Sequence, residues 1–247
     1  MERAFPLLRM SIRRILATTD HRPWPLPQSG WSYYQEWNDA LFLHWRVDAV
    51  QLRTLLPKGF ELDLIDGDAW VSVVAFTMER IRPRWLPAFP PISDFHELNV
   101  RTYVRSDDKP GVYFLSIEAS SKVACGIARR LSILPYRYAR IARANGTFRS
   151  VNPNTQDRME LSYVLSDRPV TKSPLDRWLT ERYALYQDSG TALQRYDTHH
   201  VEWPFQEVEL TKLDLDHDRM NGLLQGLPEV VHFSPGVAVL AWNPRMT

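Results

Sequence analysis

The run Phe95-His96-Glu97-Leu98-Asn99-Val100-Arg101-Thr102-Tyr103-Val104-Arg105 is followed by Asp107-Asp108-Lys109-Pro110-Gly111 and then by Val112-Tyr113-Phe114-Leu115-Ser116-Ile117-Glu118-Ala119. Two segments rich in β-branched and aromatic residues flank a cluster of Asp, Pro and Gly, which is the pattern of a β-hairpin. Working outward, the pattern repeats. Residues 60–65 and 69–80 are split by Asp66-Gly67, an acidic-Gly turn between apolar runs. Residues 41–47, 138–151, 159–165, 193–196, 201–213, 230–233 and 237–242 read as further strands, with Asn152-Pro153-Asn154 turning one pair.

Helical signals are fewer. Asp48 is placed to cap a short helix through Leu56, which Pro57 and Gly59 stop. Residues 123–131 form a second, and residues 218–225 another. The strongest helical pattern spans 174–187, where Ser173 caps, Pro174 opens the first turn and Asp176 suits the N-terminus. Leu175, Trp178, Leu179, Tyr183 and Tyr186 supply its apolar stripe. About ten strands with three or four helices predict an α+β domain, mostly β, built on one large antiparallel sheet. A sheet of that size curls, because closure removes exposed edges. A barrel or cone with a central pocket is the expected architecture.

The division expected is an arm over residues 1–30 and a single domain over 31–247. Within the arm, Phe5, Leu8, Ile12, Ile15 and Leu16 lie near helical spacing, and three prolines follow between His21 and Gly30. Packing on the domain or making a homo-oligomer are both open to such a segment. Arg3, Arg9, Arg13 and Arg14 interrupt every apolar run that could serve as a leader. No stretch reaches the roughly 18 apolar residues of a membrane span. Cytoplasm is the expected location.

Charge adds little at first sight, since the net value is +1 among 247 residues. With no recognised module either, nucleic acid is not an expected partner. The distribution is uneven. Residues 119–156 hold seven bases (Lys122, Arg129, Arg130, Arg137, Arg140, Arg143, Arg149) and no acid, whereas residues 157–229 are acidic overall. The two blocks either pair within the fold or leave arginines free for an anion. Cys125 is the only cysteine, so no internal disulfide forms.

One segment carries chemical information: Ala124-Cys125-Gly126-Ile127-Ala128-Arg129-Arg130-Leu131-Ser132-Ile133-Leu134-Pro135-Tyr136-Arg137. It resembles the active-site segment of the acetoacetate-decarboxylase-like superfamily, where the family shows a small-residue helix, an Arg-Glu pair, a few residues, an aromatic and then Pro-Lys-Lys. In that family the first lysine forms a Schiff base and its lysine neighbour lowers its pKa. Arg129 and Pro135 match, but Tyr136 stands at the reacting lysine and Arg137 at its neighbour. Phe95-His96-Glu97 matches the step that carries an active-site glutamate. A closer likeness, over nearly the whole chain, is to the uncharacterised YqjF-like branch, through Gln35-Glu36-Trp37, residues 95–101, Leu134-Pro135-Tyr136, residues 180–183 and His232-Phe233-Ser234-Pro235-Gly236. The likeness implies a fold and a pocket, and assigns no reaction.

A Schiff base needs a primary amine able to lose its proton, and neither a phenol nor a guanidinium supplies one. Of the five lysines, only Lys122 lies near the motif. Imine decarboxylation is therefore not expected. The candidate site residues are Glu97 and Tyr136 for catalysis, and Glu97, Tyr136, Arg129 and Arg137 for ligand binding. Tyr136 offers a phenol able to donate a hydrogen bond or, beside Arg137, to ionise more easily. An ion pair of Glu97 with Arg101 or Arg129 is the structural alternative. His96 has opposite strand parity to Glu97 and is read as structural. His199 and His200 point apart, and His44, His217 and His232 are scattered, so neither a metal nor a cofactor is expected. The sequence leaves three functions open: a binder of a small organic acid or a similarly polar, apolar-bodied ligand, an enzyme of the lyase or hydrolase kind using Glu97 and Tyr136, and an assembly protein.

Overall fold

A computed structural model describes residues 10–106, 108–188, 190, 193–220 and 222–246. Its strands, in chain order, are β1 (Tyr33–Val47), β2 (Glu61–Leu62), β3 (Ala69–Pro83), β4 (Phe95–Ser106), β5 (Lys109–Ala119), β6 (Tyr136–Tyr138) and β7 (Arg140–Ala144). Then come β8 (Thr147–Val151), β9 (Arg158–Pro169), β10 (Ala184–Asp188), β11 (Leu193–His199), β12 (Gln206–Asp216), β13 (Val230–Ala241) and β14 (Arg245–Met246). Short helices join them: α1 (Ile12–Ala17), α2 (Ala49–Arg53), α3 (Pro90–Ser93), α4 (Lys122–Leu131) and α5 (Pro174–Thr180). None among the described residues is long and apolar enough to cross a membrane.

The expected curled sheet is present. Seven strands close a ring in the order β11-β10-β5-β4-β3-β1-β13, and β13 returns to β11 through Thr198↔Ala241 and His199↔Leu240. A second arm, β12-β9-β8-β7, hangs from β13. Two pairings depart from the antiparallel expectation, since β5 runs parallel to both β10 and β6. Glycine makes the first of these possible. A Cβ on Gly111 would meet the Ala184 carbonyl oxygen at 2.5 Å and the Tyr186 ring at 2.7 Å.

Alternation explains why the ring is apolar on both faces. Leu41, Leu43 and Trp45 of β1 join Val71 and Val73 of β3 in one core cluster, which also takes Phe148, Met159 and Leu161 from the second arm. The intervening Phe42, Val74 and Phe76 point the other way, into a cluster with Phe95, Ala124 and Trp203. The interior of the ring is this second side.

Several boundaries move. The helix expected over 174–187 stops at Thr180, although its Ser173–Asp176 capping box forms as expected. Tyr183 and Tyr186 are fully buried in extended chain, and β10 fills the gap between β5 and β11. Ring closure overrides the local helical period. No helix forms over the described part of 218–225, which turns instead to bury Met220. The single strand expected over 138–151 is three, folded at Asn145-Gly146, where both residues have positive φ (22° and 76°) and Ala144 pairs with Thr147. The strand expected over 201–213 begins only at Gln206, whereas 230–242 forms the single strand β13, which ends at Ala241. The hairpin of β4 and β5 is tighter than expected, pairing Ser106 with Lys109. Of the arm, Ile15 packs on Trp31, Tyr34, Leu240 and Trp242, while residues 1–9 lie outside the described set.

Candidate active site

Strand parity builds one wall of the site. Glu97, Asn99 and Arg101 alternate along β4 and all line a cavity of about 440 Å³ inside the ring. Val74, Phe76 and Met78 from β3, with Phe42 and Trp203, give it apolar sides. The Ser121 side chain caps α4 by accepting from the Ala124 N–H, and this helix turns Ile127, Ala128 and Leu131 toward the opening. After α4, Leu134-Pro135 leads into β6, which pairs parallel to β5 at Ile117↔Tyr136. That pairing delivers Tyr136 to Glu97.

The Tyr136 hydroxyl donates to Glu97 Oε2 at 2.9 Å, and the Asn99 amide donates to Glu97 Oε1 at 3.1 Å. Glu97 is 3% exposed and carries no ion pair with Arg101 or Arg129. Burial pushes its carboxyl up to about 7, and the two hydrogen bonds only moderate that rise. A carboxylic acid poised near neutrality, at the end of an apolar cavity, can donate or accept a proton.

Of the two behaviours open to Tyr136, hydrogen-bond donation is the one present, and easier ionisation is not. Its phenol is pushed well above the ordinary value, by burial first and by Glu97 second. Arg137 cannot ease its ionisation, because neighbours on a strand face opposite ways. The Arg137 guanidinium donates to Glu118 at 3.5 Å and Asp157 at 3.4 Å instead. Arg129 also lies away from Glu97, in a second cleft of about 500 Å³ shared with Lys122, Arg137 and Arg140. Of the four residues expected to meet, the fold therefore unites Glu97 and Tyr136 and sends the two arginines elsewhere. Lys122 lies over the Tyr138 ring at 4.9 Å in that second cleft. Among the described residues no lysine lines the ring cavity. Cys125 is buried, with its thiol pushed up by burial.

Two features escaped the sequence reading. The first is the place of Arg101 in the cavity wall, since the sequence suggested it only as an ion-pair partner of Glu97, although it lies two alternations beyond that residue. The second is a buried hydrogen-bonded chain that gathers histidines expected to be scattered. His232 Nε2 donates to Asp176 Oδ1 at 2.9 Å, and its Nδ1 lies 3.1 Å from His44 Nε2. His44 Nδ1 meets Ser72 Oγ at 2.6 Å, and Ser72 Oγ meets the Tyr103 hydroxyl at 2.5 Å. That hydroxyl donates to the Leu179 carbonyl at 2.8 Å and also bonds the Arg101 side chain. Only long-range pairing of β1, β3, β4 and β13 makes this chain, so no local signal announces it. Among the described residues, no group of three or more His, Cys, Asp and Glu side chains is placed to hold a metal.

Comparison with known proteins agrees with this geometry at the level of fold. An acetoacetate decarboxylase from Legionella pneumophila superposes with a TM-score of 0.58 at 14% identity, over 92% of this chain and 93% of that one. The enduracididine biosynthesis enzyme MppR, solved with the condensation product of pyruvate and imidazole 4-carboxaldehyde, superposes at 0.57 with 16% identity, over 90% of each chain. In sequence, the uncharacterized protein YqjF of Bacillus subtilis (strain 168) is 36% identical over 228 residues, covering 89% of this chain and 94% of that protein. Residues 34–238 match the family of uncharacterized conserved proteins termed DUF2071, and the chain belongs to that family, on an acetoacetate-decarboxylase-like fold.

Proposed function

We propose that the chain binds a small organic molecule in the ring cavity, with the Glu97 carboxyl and the Tyr136 hydroxyl meeting one end of it. The observation that carries this reading is a buried carboxyl hydrogen-bonded to a phenol, without a counter-ion, at one end of an apolar cavity. Pockets with apolar walls and a few convergent polar groups are the usual form of a small-molecule site. Imine chemistry has no support, because Tyr136 stands at the position that the family resemblance gives to the reacting lysine, and Lys122 sits in the other cleft. Native mass spectrometry of the protein after incubation with a metabolite extract, beside Tyr136→Phe, tests the reading. A retained molecule that the variant loses is the expected result. Equal retention by both proteins would remove Tyr136 from the site.

A second reading is favoured by one observation, the Glu97 carboxyl held at about 7. A group so poised suits general acid–base catalysis of a lyase or hydrolase reaction, with Tyr136 donating to a developing oxyanion. Turnover of a bound compound with a bell-shaped pH profile that loses one limb in Glu97→Gln would support it. Binding with no turnover would leave the first reading alone.

A further inference from the structure

We propose that the ligand of the ring cavity carries a carboxylate and that Arg101 binds it; this rests on the cavity being a ligand site. Four arginines are buried among the described residues, and three of them have carboxylate partners. Arg22 pairs with Asp197 at 3.6 Å, Arg195 with Asp197 at 3.4 Å and Arg182 with Asp63 at 2.5 Å. Arg101, 8% exposed, has no such partner, and its Nε and Nη2 find no acceptor. Its contacts are the Phe42 ring, 5.5 Å from the guanidinium carbon, and the Tyr103 hydroxyl.

A guanidinium cannot shed its charge at any ordinary pH, so this is a fixed, desolvated cation. Burying a charge without a partner is strongly unfavourable, and structures tolerate it where the partner arrives from outside. Glu97 does not serve. It lies four residues earlier on β4, about 13 Å along the backbone at ~3.3 Å per residue, and its near contacts are Asn99 and Tyr136. Tyr103 steadies the fork from behind, itself held by Ser72 and by the Leu179 carbonyl.

The chemistry of the ligand follows from these neighbours. A planar fork with two free N–H groups matches a carboxylate bidentately. Arg182 also lines the cavity, but Asp63 takes its charge; Arg101 is the buried cation there left to balance, and one negative charge suffices, which favours a carboxylate over a phosphate dianion. The mouth is apolar too, with Leu86, Phe89 and Leu131 exposed at its rim. The ligand class is an apolar-bodied monocarboxylate, its acid at Arg101 and its far end toward Glu97 and Tyr136.

The test compares 2-naphthylacetate with 2-naphthylacetamide, which differ only in charge, by isothermal titration at pH 7.5. The wild-type protein is expected to bind the carboxylate at least tenfold more tightly. Arg101→Met should bring the two to within about twofold, and Arg101→Lys should keep part of the preference while losing the fork. Without ligand, Arg101→Met should melt at a higher temperature than wild type, because it removes an unpaired buried charge. Equal binding of both compounds to wild type overturns the inference and leaves the cavity standing as a neutral site; a preference that survives in Arg101→Met overturns it too, and assigns the charge recognition to another group. Failure of both compounds to bind overturns the cavity as a ligand site and the inference with it.

Discussion

Glu97 offers the sharpest quantitative test. Its carboxyl sits at about 7 in the folded chain against an ordinary 4.5. The unfolded chain releases that proton near 4.5, so between 4.5 and 7 the folded state holds more protons than the unfolded one. Stability therefore falls as pH rises through this window, and the loss is complete above 7. At 1.36 kcal/mol per pH unit the full effect is about 3 kcal/mol. Glu97→Gln keeps the shape and cannot ionise. Its amide can still meet the Tyr136 hydroxyl and Asn99, whose Oδ1 has no partner in the native arrangement. Urea unfolding of both proteins from pH 5 to 8.5 gives the difference directly, with other titrating groups cancelling. The difference, wild type minus variant, should drop by about 2–3 kcal/mol across that range. A flat difference would refute the argument, since it would mean that Glu97 ionises as easily inside the fold as outside it.

Three further outcomes are expected. Gly146→Ala should cost about 1–3 kcal/mol in urea unfolding, because the residue has φ 76° and its Cβ would meet the Tyr163 carbonyl oxygen at 2.5 Å. Ser173→Ala removes one side of the capping box and should lower stability by about 1 kcal/mol, or the melting temperature by about 2–4 °C. His200 is buried and held down to about 4, so the unfolded chain takes up its proton first as pH falls. Stability is lost on acidification from 6.5 toward 4, by about 3 kcal/mol at most for this residue. His200→Gln should flatten that acid limb, as followed by unfolding at pH 4.5, 5.5 and 6.5.

Much of the fold was legible because apolar alternation and turn chemistry are local. Glu97 and Tyr136 were found together because a family resemblance joined two segments that lie far apart in sequence. What escaped was decided by distant chain. Tyr183 and Tyr186 continue a helical stripe in the sequence, yet the gap between β5 and β11 draws Tyr186 into β10, with Tyr183 just before that strand. Arg137 was read beside Tyr136, whereas strand parity places them on opposite faces. The Asn145-Gly146 turn was the one local signal passed over, since Asn-Gly between apolar runs is a strong hairpin mark. His44 and His232 carry no mutual signal at 188 residues apart.

The acid-free block of arginines gains a different meaning from its place on the sheet. Arg140, Arg143 and Arg149 fall on β7 and β8, and β7 is one end of the strand order, as β14 with Arg245 is the other. An end strand offers bare backbone groups on which another chain can template itself. Copies meeting edge to edge at β7 would bring the exposed Arg140 of each against the other before any backbone bond formed, a repulsion that opposes stacking of this sheet into fibrils, whereas Arg143 folds back over Phe148 and Tyr163. Neutralising Arg140 would thus be felt in colloidal behaviour during refolding at high concentration more than in the melting temperature.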